Sequence, residues 1–311
     1  MNNSQTPHNV QPKLNGSHFH IKYLFTWIGL ILLFFASQLP FYITHTFGKF
    51  LGLFLYYIAS RRRQIAEINL KHCFPKKEEK EIQLLTKNHF INFGIGLFEM
   101  GVAWWASDKR IKKIKTSLKN DELFEDIKNN KSGTLVLIKH STHIELDLRL
   151  LSQKLDLGGM YRPQNNLVVN YFMIRARNSF FKGVIKKSEA KLAIKWLKSG
   201  INFLYAADQD YGKKVSEFID FFGHKAATVT FPAFLAKQGI RTIFINVDRN
   251  KYNYEIKVIE LDRYIESTKF LSNMNYEYEK AIKSFPEQYL WVHRRFKSYE
   301  EEEENIYSNI K

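Results

Sequence analysis

Apolar and polar positions divide the chain into a polar leader, an apolar N-terminal stretch and a long alternating body. Residues 1–20 begin with Asn, Ser, Gln and Pro and carry no periodic apolar pattern, which predicts a disordered N-terminus. From Ile21 to Leu39 the chain reads IKYLFTWIGLILLFFASQL, 19 residues with one charge at the edge. At 1.5 Å per residue that length reaches across roughly 30 Å of hydrocarbon, and a cleaved signal peptide would have a shorter apolar core with a small-residue cleavage site. Pro40 then leads into a second aromatic stretch, Phe41 to Ala59, interrupted by His45 and Lys49. The first segment reads as a membrane anchor and the second as a helix lying at the membrane surface, so residues 21–60 form one unit. The competing reading is two buried helices of a soluble core. Arg61-Arg62-Arg63 follows directly, against Lys13 and Lys22 before the anchor, and the positive-inside rule sets everything beyond it on the cytoplasmic side.

The body is helical between Lys76 and Ile127, with His89–Trp105 read as a core or membrane-facing helix. The run Thr134–Ile138 is short, apolar and β-branched, hence a buried strand, and Thr142–Leu151 places Ile144, Leu148 and Leu151 on one helix face. Further on, strands are expected at Gly158–Tyr161, Ile201–Ala206, Arg241–Asn246 and Tyr252–Ile259. Helices are expected at Leu167–Asn178, Ser188–Ser199, Ala226–Gln238 and near Tyr276–Ser284. Alternation of this kind predicts an α/β fold, one domain over residues 61–298 with helices flanking a mainly parallel sheet and an N-terminal transmembrane helix ahead of it. Residues 299–311, with Glu300–Glu304, are left as an acidic, solvated tail.

Composition narrows the class. The 311 residues carry a formal charge of +16 and 15% aromatic residues, so a basic surface accompanies concentrated apolar segments. Such charge is drawn to anionic lipid. Without a nucleic-acid-binding motif, and with the apolar N-terminus otherwise unexplained, no nucleic-acid partner is expected. One cysteine, Cys73, excludes a disulfide scaffold.

The candidate chemistry lies at the junction after the first strand, in His140-Ser-Thr-His-Ile-Glu145. Five residues along a continuous helix rotate side chains about 140° apart, so His140 and Glu145 meet only if the histidine lies in the turn and the glutamate in the first helical turn. A carboxylate holding one ring nitrogen would make His140 a general base. The same residues also admit a satisfied capping histidine, or a metal site of His140, His143 and Asp147, since His143 and Asp147 are four apart. Arg162 closes a strand, Arg175 and Arg177 end the next helix as dipole partners or anion clamps, and Asp208 and Asp210 follow a strand where loops commonly line a site.

These residues in order carry a resemblance. The H-x-x-x-x-E motif is similar to the H-x-x-x-x-D/E motif of glycerolipid acyltransferases, and with RRRQIAEINLKHCFP at 61–75, YRP at 161–163, RARN at 175–178, DQDYG at 208–212 and PEQYLWVHRRFK at 286–297 the chain resembles the late acyltransferases of bacterial lipid A biosynthesis, the lauroyl/myristoyl transferase family. The resemblance runs from the N-terminal anchor to about Lys297. It implies transfer of a fatty acyl group from acyl carrier protein to a hydroxyl of a Kdo-bearing lipid A precursor, without metal or cofactor, by an inner-membrane, single-pass protein with its catalytic domain on the cytoplasmic side. It further implies His140 as base with Glu145 as its partner, and Arg162, Arg177, Asp208 and Asp210 as substrate-binding residues. His143 is a second histidine placed to compete for the proton. The alternatives are a non-catalytic lipid-binding protein of the same fold, or an acyltransferase acting on another glycolipid or phospholipid.

Overall fold

The computed structural model describes residues 12–130, 132–300 and 305–310. Four helices open the chain: α1 (Leu24–Gln38), α2 (Phe41–Ile58), α3 (Ser60–Cys73) and α4 (Glu79–Trp105). The alternating body follows as α5 (Asp108–Ile111), β1 (Thr116–Lys119), α6 (Asp121–Asn129), β2 (Leu135–Ile138), α7 (Ile144–Ser152), β3 (Leu157–Tyr161), α8 (Leu167–Phe180), β4 (Gly183–Lys186), α9 (Ala190–Lys198) and β5 (Asn202–Ala206). The hairpin β6 (Ser216–Phe221) and β7 (His224–Val229) precedes α10 (Phe231–Lys237), β8 (Thr242–Asn250), β9 (Asn253–Leu261) and α11 (Ser267–Ser284).

The main sheet has the order β1-β9-β8-β2-β5-β3-β4. Every pairing in it is parallel except β8 with β9, as expected of a mainly parallel sheet flanked by helices. The central strand β2 is Leu-Val-Leu-Ile with all four residues buried, because helices cover both faces of a parallel sheet and leave no polar side for alternation to mark. One apolar core packs β2, β5 and β8 against α9, α10 and α11, and the other packs the opposite face against α4, α6, α7 and α8.

Four expectations fail locally. The segment Ala226–Gln238, expected as one helix, is strand β7 followed by the short α10. Ala226, Ala227 and the stop at Gly239 favour a helix, but Thr228 and Val229 are β-branched and complete a hairpin whose turn, Phe222-Gly223, takes positive φ at both residues. The last helix starts at Ser267, not near Tyr276. Residues 12–20, expected to be disordered, include a 3-10 turn over Gly16–Phe19. The structured part of the expected tail includes Tyr307, which is buried and donates to Asn69 Oδ1 at 2.5 Å; residues 1–11 and 301–304 lie outside the described residues.

Helix α2 packs antiparallel against α4 at a distance that only glycine permits, since a Cβ on Gly52 would lie 2.3 Å from the carbonyl oxygen of Phe90. The two helices share a buried carboxylate, Glu99, lying 2.9 Å from His45 Nε2 and bonded to Arg249 and Tyr254 of the sheet. Burial pushes Glu99 up, but Arg249 and His45 outweigh it and hold the carboxyl below its usual range. Near one end of this layer, burial holds the imidazoles of His72, His89 and His293 down at about 4 from 6.5. These three histidines are uncharged in the folded chain and take up protons on unfolding between about 4 and 6.5, so stability falls as pH is lowered through that window. Melting temperatures of detergent-solubilised protein should drop steadily from pH 7 to pH 5. A flat or rising profile would contradict the neutral, buried assignment.

Candidate active site

The site is set by strand register. Parallel pairing places Ile138 of β2 beside Ala206 of β5, and two residues beyond each strand end stand His140 and Asp208. Asp208 is fully buried, and its two oxygens take both donors that His140 offers on that side: Oδ2 accepts from the backbone N–H at 2.8 Å and Oδ1 lies 2.6 Å from Nδ1. Burial pushes the Asp208 carboxyl up, but the charge and hydrogen bonds of His140 outweigh it and hold the group below its usual range. The carboxylate fixes the tautomer with hydrogen on Nδ1 and leaves Nε2 as the acceptor. Nε2 has no hydrogen-bond partner among the described residues, and the ring is 20% exposed, so this nitrogen is open to the surroundings.

Glu145 stands in the first turn of α7 while His140 stands in the turn before it, as the spacing requires. The carboxylate that holds His140 is nevertheless Asp208. Glu145 instead receives Arg177 of α8, with Nη2 to Oε1 at 2.5 Å, and the Trp104 indole N–H at 3.0 Å. The reason is direction: side chains on the first turn of α7 face α4 and α8, whereas the histidine lies over the end of β5. Asp208, expected among the substrate-binding residues, thus stands against the histidine, and Glu145, expected beside the histidine, stands against Arg177.

Asp210, expected to bind substrate, accepts from the N–H of Gly212 and from the N–H and hydroxyl of Ser298 at distances between 2.7 and 3.0 Å, which closes the loop onto the C-terminal segment. Arg162 is exposed at the end of β3, on the same sheet edge as His140 and Asp208, with no carboxylate partner among the described residues. Arg175 points away, bonded to the Tyr171 hydroxyl at 3.1 Å.

His143 and Asp147 do meet across one helical turn, at 2.7 Å, but as a closed internal pair. The other ring nitrogen of His143 lies 2.9 Å from Gln288 Oε1, and the orientation of that amide is fixed by its paired bonds to the N–H and C=O of Arg249. Neither ring nitrogen is left to compete with His140 or to join it in a metal site. Among the described residues no group of three His, Cys, Asp or Glu side chains could hold a metal ion.

Long-range contacts that sequence spacing does not mark hold this turn. Residues 288–290 run antiparallel to it: Thr142 N–H donates to Gln288 O at 2.7 Å and Leu290 N–H to His140 O at 3.0 Å. Tyr278 of α11 donates to Ile138 O at 3.0 Å and accepts from Ala207 N–H at 3.3 Å, tying the ends of β2 and β5 together. Lys139, next to the histidine, is buried with Asp248 at 2.7 Å and with Asn246. Trp104 and Gln288 were legible only as an aromatic at a helix end and as part of a family motif.

The model of the bacterial lipid A biosynthesis acyltransferases matches residues 12–298. The chain belongs to that family. It is 32% identical over 294 residues to the lipid A biosynthesis lauroyltransferase of Escherichia coli (strain K12), covering 92% of this chain and 96% of that protein. It is 30% identical over 303 residues to the palmitoleoyltransferase of the same organism, covering 96% and 99%, and 24% identical over 295 residues to the myristoyltransferase, covering 92% and 91%. This lipid A acyltransferase therefore has an acyl-transfer reaction to perform, and an imidazole with one nitrogen fixed and the other open suits it.

The acyltransferase site leans on α4 at one glycine. A Cβ on Gly96 would lie 1.8 Å from the carbonyl oxygen of Thr142, two residues from His140, so Gly96→Ala must displace the turn that carries His140 or the helix. It should cost on the order of 3 kcal/mol of stability and most of the turnover, measured by thermal melting and product formation. Gly29→Ala, with nothing within 4 Å of the new methyl, should leave both intact. Full turnover in Gly96→Ala would mean that the turn is not held against α4.

Proposed function

We propose that this lipid A acyltransferase moves a fatty acyl chain from an acyl carrier protein thioester to a hydroxyl of a Kdo-bearing lipid A precursor, with His140 as the general base. An aliphatic hydroxyl is a poor nucleophile until its proton is taken as it attacks, and the open Nε2 of His140 is the group available for that proton. The hydroxyl oxygen bonds to the thioester carbonyl carbon while its proton passes to Nε2. The tetrahedral intermediate then expels the thiolate, which recovers the proton from the imidazolium. Asp208, on Nδ1–H, holds the ring in the required tautomer and stabilises the imidazolium without itself taking the proton. Arg177, held by Glu145, and the unpaired Arg162 offer positive charge to a phosphorylated acceptor or to the developing oxyanion. The observation that carries this reading is the 2.6 Å contact of Nδ1 with a fully buried carboxylate beside an unbonded Nε2.

A donor carried on a soluble acyl carrier protein also requires the domain to face the cytoplasm, in keeping with the Arg61–Arg63 cluster, of which Arg62 and Arg63 bond back to Val292 O and Tyr56 O. The test is acyl transfer from loaded acyl carrier protein to purified lipid A precursor. His140→Ala should lower turnover by about 10² to 10⁴ with little change in acceptor KM, as expected for a base acting in the transition state. In parallel, mass spectrometry of lipid A from cells lacking the protein should show a species lighter by one acyl group. Unchanged lipid A together with an unaffected His140→Ala rate would defeat the proposal.

A further inference from the structure

Residues Ile21–Gln38 are long and apolar enough to cross a membrane, and only 17% of that stretch is buried. Besides contacts with the N-terminal segment, where Trp27 donates to His18 O at 2.9 Å and stacks on Phe19, it meets the catalytic domain along its whole length. At its start Thr26 accepts from Asn166 Nδ2 at 2.7 Å and Trp27 packs edge-on to Phe172 at 5.7 Å. In its middle Leu33 lies under Gly101 of α4, and Phe34 packs on Trp105 at 5.8 Å. At its end the Arg110 guanidinium donates to Leu39 O. Charged surface therefore sits at both ends of α1, with the exposed Arg175 bonded to the Tyr171 that packs on His18 near its start, and the exposed Lys109, Lys112 and Lys113 flanking Arg110 near its end. A helix standing across the bilayer would carry one of these two charged ends through the hydrocarbon to the far side, which charged groups resist strongly.

The face of α1 turned away from the domain is apolar and continuous, with Phe25 84%, Leu32 64% and Phe35 63% exposed. The chain turns at Pro40 into α2, whose inner face is fixed on α4 and whose outer face exposes Phe50 at 68%, Phe54 at 58% and Tyr57 at 64%. Lys22, Lys49 and Arg61 are exposed along the same two helices. One-sided apolar stripes accompanied by basic residues are the pattern of helices that lie in an interface between hydrocarbon and anionic head groups.

We propose that α1 does not cross the membrane: α1 and α2 lie together in the plane of one phospholipid leaflet, and the N-terminal segment shares a compartment with the catalytic domain. Helices α4 and α8, which carry Trp104 and Arg177 of the active site, are the ones that hold α1. A lipid acceptor would then reach His140 from the leaflet on which the domain sits; this last step rests on the proposed acyl-transfer function, whereas the topology does not.

The test uses the full chain in a Gram-negative host. Leu14→Cys is probed with a membrane-impermeant maleimide in spheroplasts, with Lys237→Cys on α10 as the marker of the domain's side; the native Cys73 is buried. Both introduced cysteines should stay unlabelled in intact spheroplasts and react equally after lysis. Labelling of Leu14→Cys in intact spheroplasts means a single span and overturns the proposal. In a second arm, nitroxides at Phe25, Leu32 and Phe35 of protein in anionic phospholipid vesicles should report the same shallow depth. A depth that changes strongly along the helix, or full water exposure at all three, overturns it as well. Neither arm depends on turnover, so failure of the acyl-transfer reading would leave both results unchanged.

Discussion

The parallel register of β2 and β5 is the constraint on which the site depends. With Ile138 beside Ala206, the residues two steps past each strand end arrive side by side, and those residues are a histidine and an aspartate. No flexible loop has to bring them together, because the sheet does it. The surrounding bonds all act on this register: Tyr278 bridges the ends of the two strands, Tyr289 donates to the Asp208 carbonyl at 3.1 Å, and Gln288 and Leu290 clamp the turn from the opposite side. In the proposed reaction this rigid turn keeps the open nitrogen aimed before the substrate arrives.

Five carboxylates around the site each have a basic side chain as partner. Asp208 takes His140, Glu145 takes Arg177, Asp147 takes His143, Glu99 takes Arg249 and Asp248 takes Lys139. Leaving one member of such a buried pair alone is strongly unfavourable, whereas the intact pair adds little net stability because both groups have lost water. The effect is to specify geometry: of the five pairs, only the first leaves a ring nitrogen without a partner among the described residues, and the others hold α7, α8, α4 and the strand ends around it.

Much of this was legible in the chain. The apolar run Thr134–Ile138 marked the central strand, and the five-residue spacing correctly put His140 in the turn and Glu145 in the helix. What spacing along one segment does not reveal is which distant carboxylate reaches the histidine. Glu145 was the local candidate, yet the helix turns it towards α8, while Asp208 comes 68 residues later through strand pairing. Long-range pairing also decided Ala226–Val229, where intrinsic helix preference lost to a hairpin partner, and it made the segment 286–291 part of the site although its sequence has no periodic pattern. The same limit applies to α1. Its composition marks it as a membrane helix, but only its contacts with Asn166, Trp105 and Arg110 reveal how it lies against the domain.

The central claim, that His140 and Asp208 work as one unit and Glu145 and Arg177 as another, is tested most directly by double-mutant cycles on the transfer rate. Asp208→Asn should lower turnover in the native background and have almost no further effect once His140 is alanine. Glu145→Gln should keep most of its effect in the His140→Ala background and lose it in an Arg177→Ala background. The opposite pattern, in which Glu145→Gln becomes silent without His140 while Asp208→Asn does not, would contradict the account and return Glu145 to the side of the histidine.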